Sequence, residues 1–196
     1  KQNHLKYKYV LADTWYSSTD NMMYIKHEIK TLFVMAVKSN RKIALGLDDK
    51  LRGKWIKLES LNLKEDTTIQ VYFEGVDFPL LLSKKVFTNE DGSSGILYLV
   101  SNDLSLNHEK IIKIYQKRWK VEEYHKSLKN NASIGSSPTK TARTQTNHIF
   151  ASLCAFLKLE SLKGASNHFA LKTKLYLRSL QSAMEQLRIL STNNIT

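Results

Sequence analysis

Two short apolar runs, Tyr9-Val10-Leu11-Ala12 and Leu32–Val37, bracket a segment with the chemistry of a helix start, and together they constrain the fold class more than any other feature of the chain. Residues Leu5 to Ala12 read as a strand that ends at Asp13. Ser17, Ser18, Thr19 and Asp20 then offer side-chain oxygens to cap a helix running to about Ile29. The LFVMAV run of Leu32–Val37 is too short for a helix and too apolar for a surface, so it predicts a buried strand. Strand, helix, strand is the opening of an α/β sheet. From Lys42 to about Val100 the texture changes to short or alternating segments: Thr67–Phe73 alternates, with Leu80–Val86 and Ile96–Val100 as expected partners. That spacing indicates an antiparallel β section. Asp91-Gly92-Ser93-Ser94-Gly95 predicts a hairpin tip, not a phosphate loop, because no Lys-Ser/Thr pair succeeds it. Beyond Ser101 the pattern is helical, with helices expected at Leu106–Asn130, Thr141–Lys163 and Ala170–Leu190. The fold class is therefore α/β at its start and α+β overall.

Charge narrows the partners. Thirty Lys and Arg against 18 Asp and Glu give a net charge of +12, which favours a polyanion such as DNA or RNA. No apolar run approaches a membrane span, and the first residues lack the apolar core of a signal peptide. The single cysteine, Cys154, excludes a disulfide framework or a zinc finger within the chain and is expected to be a small buried hydrophobe, which suits a reducing, intracellular setting.

The chemistry concentrates in the first long helix. At about 100° per residue, Tyr115, Arg118, Glu122 and Lys129 fall within a stripe roughly 60° wide if the helix is continuous. Ile114, Val121, Tyr124 and Leu128 would form the neighbouring core-facing stripe. A carboxylate held beside two cations and a phenol suits metal-dependent chemistry on a nucleic-acid backbone; the competing reading is a surface helix with an Arg118–Glu122 charge pair. Lys113, Lys117, Lys120, Lys126, Lys140 and Arg143 enlarge the basic cluster. His125 completes a Glu-x-x-His pattern with Glu122, but no second copy exists, so it is expected to pack on the helix flank or touch phosphate. Asp13 stands where α/β folds place ligands, just past a strand end, although turn and cap aspartates are common there too. Arg41 is either a phosphate ligand or a solvated loop residue. Trp55, Trp119 and Tyr98 are candidates for base stacking or for core packing.

These residues resemble a known family. Tyr115-x-x-Arg118-x-x-x-Glu122-x-x-x-x-x-x-Lys129 is similar, spacing for spacing, to the Tyr-Arg-Glu-Lys signature of the DDE transposases of bacterial insertion sequences, in the insertion-sequence-four family. The run Arg118-Trp119-Lys120-Val121-Glu122-Glu123-Tyr124-His125-Lys126 resembles the same family's helix, and Asp13-Thr14-Trp15-Tyr16 resembles the strand-end motif of its second catalytic Asp. The resemblance implies a partial ribonuclease-H-like core at residues 1–41, a β-rich insertion at 42–105, core helices with the Glu motif at 106–163 and a C-terminal helix at 164–196. It implies that Asp13 and Glu122 are catalytic metal ligands for Mg²⁺ or Mn²⁺, and that Tyr115, Arg118 and Lys129 hold DNA phosphates. Arg41, Trp119, His125 and Lys126 would add DNA contacts, and Tyr98 is the nearest position for an aromatic that stacks on a flipped base.

The family also uses a first Asp on an earlier strand, yet the twelve residues before Asp13 contain no Asp or Glu. The chain opens without Met and almost directly with a core strand. It is expected to be the C-terminal portion of a transposase, inactive alone, with two of three metal ligands. The alternative is a non-catalytic DNA-binding remnant or recruited module. The implied partners are double-stranded DNA, as transposon ends and target, and a second copy on paired ends. The implied setting is the bacterial cytoplasm at the nucleoid.

Overall fold

The strand Leu32–Val37 (β2) explains the first half of the chain. Phe33, Met35 and Val37 point to one face of a sheet and Val34 and Ala36 to the other, and all five are buried. A strand covered on both faces needs apolar side chains at every position, which is why this run does not alternate. The computed structural model describes residues 5–89 and 91–193. They divide into two compact units, with the division between Arg118 and Trp119.

The strands of the first unit are β1 (Tyr9–Ala12), β2, β3 (Lys42–Ala44), β4 (Ile56–Lys57), β5 (Thr68–Phe73), β6 (Leu80–Thr88) and β7 (Ser94–Ser101). All seven form one sheet in the order β1-β2-β7-β6-β5-β3-β4. β1 and β2 are parallel, with Tyr9 opposite Leu32 and Ala12 opposite Met35. The other ladders are antiparallel; the longest joins β6 to β7 from Leu81↔Ser101 to Thr88↔Ser94. β7 also pairs with β2, so the antiparallel strands continue the sheet that β1 and β2 begin. Between β1 and β2 lies α1 (Thr19–Tyr24), prolonged by a wider π turn at Ile25–Ile29. Ser18 caps it by accepting a hydrogen bond from the Asn21 N–H. Met22 and Ile25 bury against Phe33, Met35, Phe73 and Leu82 on one sheet face. A short helix α2 (Leu47–Leu51) links β3 to β4. The opposite sheet face is covered by α3 (His108–Gln116), whose Ile111 is fully buried with Val34, Ala36, Leu81 and Leu99. The hairpin tip falls where the Gly-Ser cluster predicts, closed by Asn89 N–H to the Ser93 carbonyl at 2.8 Å.

The second unit holds α4 (Trp119–Asn131), α5 (Ala142–Leu162) and α6 (His168–Asn193). Its interior is small and largely polar: Ser127, Leu128, Ala132, Ser152 and His168 are the buried side chains among those described.

Three expectations need correction. The helix expected to run unbroken from Leu106 to Asn130 is two helices, interrupted at Lys117 and Arg118. Their N–H groups bond three residues back, to Ile114 and Tyr115, in the tight geometry of a helix end. Gln-Lys-Arg-Trp contains no Gly or Pro, so the sequence carries no warning. The break is tertiary: Ile111, Ile114 and Tyr115 are committed to the sheet, whereas Ser127 and Leu128 belong to the second unit's interior. The four side chains are therefore divided, with Tyr115 on α3, Arg118 at the interruption and Glu122 and Lys129 on α4, and Val121, assigned to the neighbouring apolar stripe, is 54% exposed. Cys154 is exposed on α5, not buried. The first strand is also shorter than expected, starting at Tyr9.

Candidate nucleic-acid and metal site

The sequence-selected residues fall into three local groups. The first surrounds Asp13, at the carboxyl end of β1 beside the parallel β2. Its Oδ1 accepts the Trp15 N–H at 3.0 Å and its carbonyl accepts the Tyr16 N–H at 3.3 Å. This turn lifts the carboxylate past the strand end in a half-buried position. Immediately beside it, Thr14, Lys38, Ser39, Asn40, Ile96, Leu97 and Tyr98 line a hollow of about 480 Å³. Tyr98 shows only 6% of its surface, and burial, then the charge of Glu59, pushes its phenol pKa up. Its ring is a wall of the hollow more than a free stacking surface. Arg41 is half-buried and engaged with groups of its own unit. Its Nη2 donates to Thr19 Oγ1 at 3.0 Å and its guanidinium lies 5.5 Å from the Phe73 ring centroid. Burial lowers its pKa, with Glu74 opposing.

The second group is Tyr115 with Arg118. The guanidinium lies 5.6 Å from the phenol ring centroid, and Tyr115 packs partly against the α3-covered face of the sheet. A cation held on an aromatic face is a fixed charge, suited to a phosphate.

The third group lies in the second unit. Trp119, Glu122, His125, Lys126 and Lys129 all line one cleft of about 1210 Å³ between α4, α5 and the start of α6. Glu122 and Lys129 are two turns apart on α4 and so share a face. Lys126 lies 5.6 Å from the Phe169 ring centroid, Trp119 is 59% exposed and Lys129 is exposed. The floor of this cleft holds an array that sequence reading missed. Ser127 Oγ is 2.7 Å from His168 Nδ1, His168 Nε2 is 2.9 Å from Glu160 Oε2, and Asn131 Nδ2 donates to Ser127 Oγ at 3.1 Å. Lys163 bonds Glu160 and, ahead of a smaller opposing effect of burial, lowers its carboxyl pKa. No sequence signal links residues so far apart, since Ser127 and His168 meet only through the packing of α4 on α6.

Asp13 and Glu122 each carry hard carboxylate oxygens, the type of ligand that Mg²⁺ and Mn²⁺ prefer. Among the described residues no group of three or more His, Cys, Asp or Glu side chains is arranged to hold a metal. Among them, too, no helix is long and apolar enough to cross a membrane.

No curated protein matches the chain. The family model described as the transposase DDE domain does match it, over residues 1–157, and that span contains the sequence-selected residues of all three groups. The chain belongs to the transposase DDE domain family.

Proposed function

We propose that this chain is the catalytic-core portion of a DNA transposase of the insertion-sequence-four type, hydrolysing a phosphodiester at transposon ends and transferring the freed strand. Membership of the family implies transposition and DNA as the partner, and DDE domains generally work with a divalent metal. The observation that carries the finer reading is the Tyr115, Arg118, Glu122 and Lys129 spacing in a chain that also presents Asp13 at a strand's carboxyl end. On this reading β1, α1 and β2 belong to a ribonuclease-H-like core and β3 to β7 to its insertion.

Asp13 and Glu122 would hold the ion, Mg²⁺ or Mn²⁺. When bound, it supplies charge stabilisation at the attacking and leaving oxygens. Arg118 and Lys129 hold non-bridging phosphate oxygens and offset charge as it develops. Tyr115 orients Arg118 through its ring. His125, Lys126 and Trp119 extend the contact along the strand, and a second copy occupies the other transposon end. Residues 1–12 carry no Asp or Glu. On this reading Asp13 and Glu122 are two of the three carboxylates that the family's chemistry uses. The same observation favours one other reading, a DNA-binding remnant that no longer cleaves.

Iron-directed backbone cleavage tests the core of this proposal. Fe²⁺ takes a Mg²⁺ position, and with ascorbate and peroxide it cuts the peptide chain close by. Cuts are expected at both Asp13 and Glu122, both suppressed by excess Mg²⁺ and both lost in Glu122→Gln. Cutting at one of the two alone would sink the shared-ion assignment.

A further inference from the structure

We infer that the α6 face of Tyr176, Leu180, Ala183, Leu187 and Leu190 is a pairing surface for the α6 of a second copy of this chain, the two helices forming a short coiled coil. The inference is separate from the reading of Asp13 and Glu122, because α6 starts at His168, past the residues 1–157 that match the family model.

The first turn of α6 is held by its own unit through buried His168 and half-buried Leu171, whereas residues 172–190 are all exposed. At 1.5 Å per residue that stretch is about 28 Å of helix. A helix in a protein gains most of its stability by packing an apolar face. Here such a face is uncovered among the described residues: Tyr176, Leu177, Leu180, Met184, Leu187 and Leu190 are between 46 and 68% exposed. Contiguous apolar surface of this kind marks a contact.

The spacing fits another helix. Leu180 and Leu187 lie seven residues apart, and Tyr176, Ala183 and Leu190 repeat by seven as well. Together they make the alternating three- and four-residue steps of a coiled-coil seam, which Leu177 and Met184 widen on one flank. Charge indicates which helix. At about 100° per residue these apolar positions span an arc of roughly 140°, and Lys174, Arg178, Glu185 and Arg188 fall in a separate arc roughly 80° wide. The seam's other flank carries uncharged Ser179 and Gln186. Lys172, at the seam's start, is turned to the Asn130 carbonyl of its own unit. Two copies of a chain of net charge +12 thus join these faces without setting like charges against each other. The area is of the right order too. Six large apolar side chains at roughly 60–120 Å² each bury roughly 400–700 Å² per helix. A standard interface buries about 800 Å² per partner, so pairing is expected at micromolar rather than nanomolar concentration.

The test is sedimentation equilibrium of the full chain, without DNA or metal, from about 1 to 200 µM. The unsubstituted chain is expected to pass from the monomer mass to twice that mass. Leu180→Glu/Leu187→Glu places unpaired carboxylates in the seam and should weaken association by about 100-fold or more. Leu175→Glu/Ser182→Glu, on the far side of the helix, should change it by less than about twofold. Leu180→Lys/Leu187→Lys should be monomeric alone and pair with the Glu variant when the two are mixed, which misfolded chains would not do. A chain that stays monomeric throughout leaves the face to some other partner and overturns the assignment. So would association beyond a dimer, association that survives the seam carboxylates or falls equally with the far-side pair, or Glu and Lys variants that fail to pair. Iron cleavage at Asp13 and Glu122 is read separately, so failure of either assignment leaves the other standing.

Discussion

At the scale of single residues, the clearest energetic statement concerns Tyr9. Its hydroxyl donates to Asp103 Oδ2 at 2.6 Å, tying the first strand to the turn after β7. Burial first, then this bond and the nearby negative charge, push the phenol pKa up to about 12. Burial would raise Asp103 as well, but hydrogen bonds from Ser105 and Tyr9 outweigh it and hold that carboxyl below its ordinary range. Proton linkage gives each shift its sign in stability. A phenol whose folded pKa lies above its unfolded value of 10.0 adds stability in full below that value, and loses it as pH rises through about 12. The lowered carboxylate adds stability above its ordinary 3.8 and loses it as pH falls through the folded value. Tyr9→Phe should therefore cost about 1–2 kcal/mol at neutral pH. In denaturant melts that difference should shrink towards the alkaline end; a pH-independent difference would contradict the assignment. Gly75 makes a second case: at φ +81° an added Cβ would also lie 3.0 Å from Thr19 Cγ2. Gly75→Ala is expected to lower stability by about 1–2 kcal/mol, read from the same melts.

At the scale of elements, the polar interior of the second unit makes the Ser127–His168 bond its most informative contact. Both groups are buried, so Ser127→Ala leaves the imidazole Nδ1 without its partner at a cost of about 1–3 kcal/mol. Hydrogen exchange should speed up at the start of α6 in that variant and leave β6 and β7 untouched. Unchanged exchange in α6 would show that the bond does not hold the helix. Such contacts mark the limit of what the sequence reveals. β2, β5 and the cap at Ser18 were legible because each depends on neighbours within a few positions: an apolar run, an alternation, a hydroxyl ahead of a helix. The strand-end position of Asp13 was legible for the same reason. The break at Lys117–Arg118 was not, because it arises from which distant surfaces Ile111 and Leu128 bury against. Cys154 misled in a related way, since an apolar run such as Ile149–Leu159 does not say which of its residues face inward. The half-buried environment of Arg41, set by Thr19 and Phe73, was equally out of reach of local pattern.

At the scale of the whole molecule, charge decides how the chain meets DNA. Between Lys113 and Arg143 the chain carries eight basic residues: Lys113, Lys117, Arg118, Lys120, Lys126, Lys129, Lys140 and Arg143. If five to eight of them neutralise phosphates, the logarithm of the duplex association constant should fall against the logarithm of salt concentration with a slope of about −5 to −7. Lys126 and Lys129 line the α4 cleft, so Lys126→Gln/Lys129→Gln should make that slope shallower by about 2 and weaken all duplex sequences alike. Lys174 and Arg178, on exposed α6 beyond the cleft, serve as the comparison, and their Gln variant should leave the slope within error. Fluorescence anisotropy on one duplex across a salt series measures all three proteins. A slope unaffected by the α4 substitutions, or equally affected by those on α6, would mean that attraction is spread over the +12 surface. In that event the cleft of Glu122 would be no more the DNA track than any other basic face.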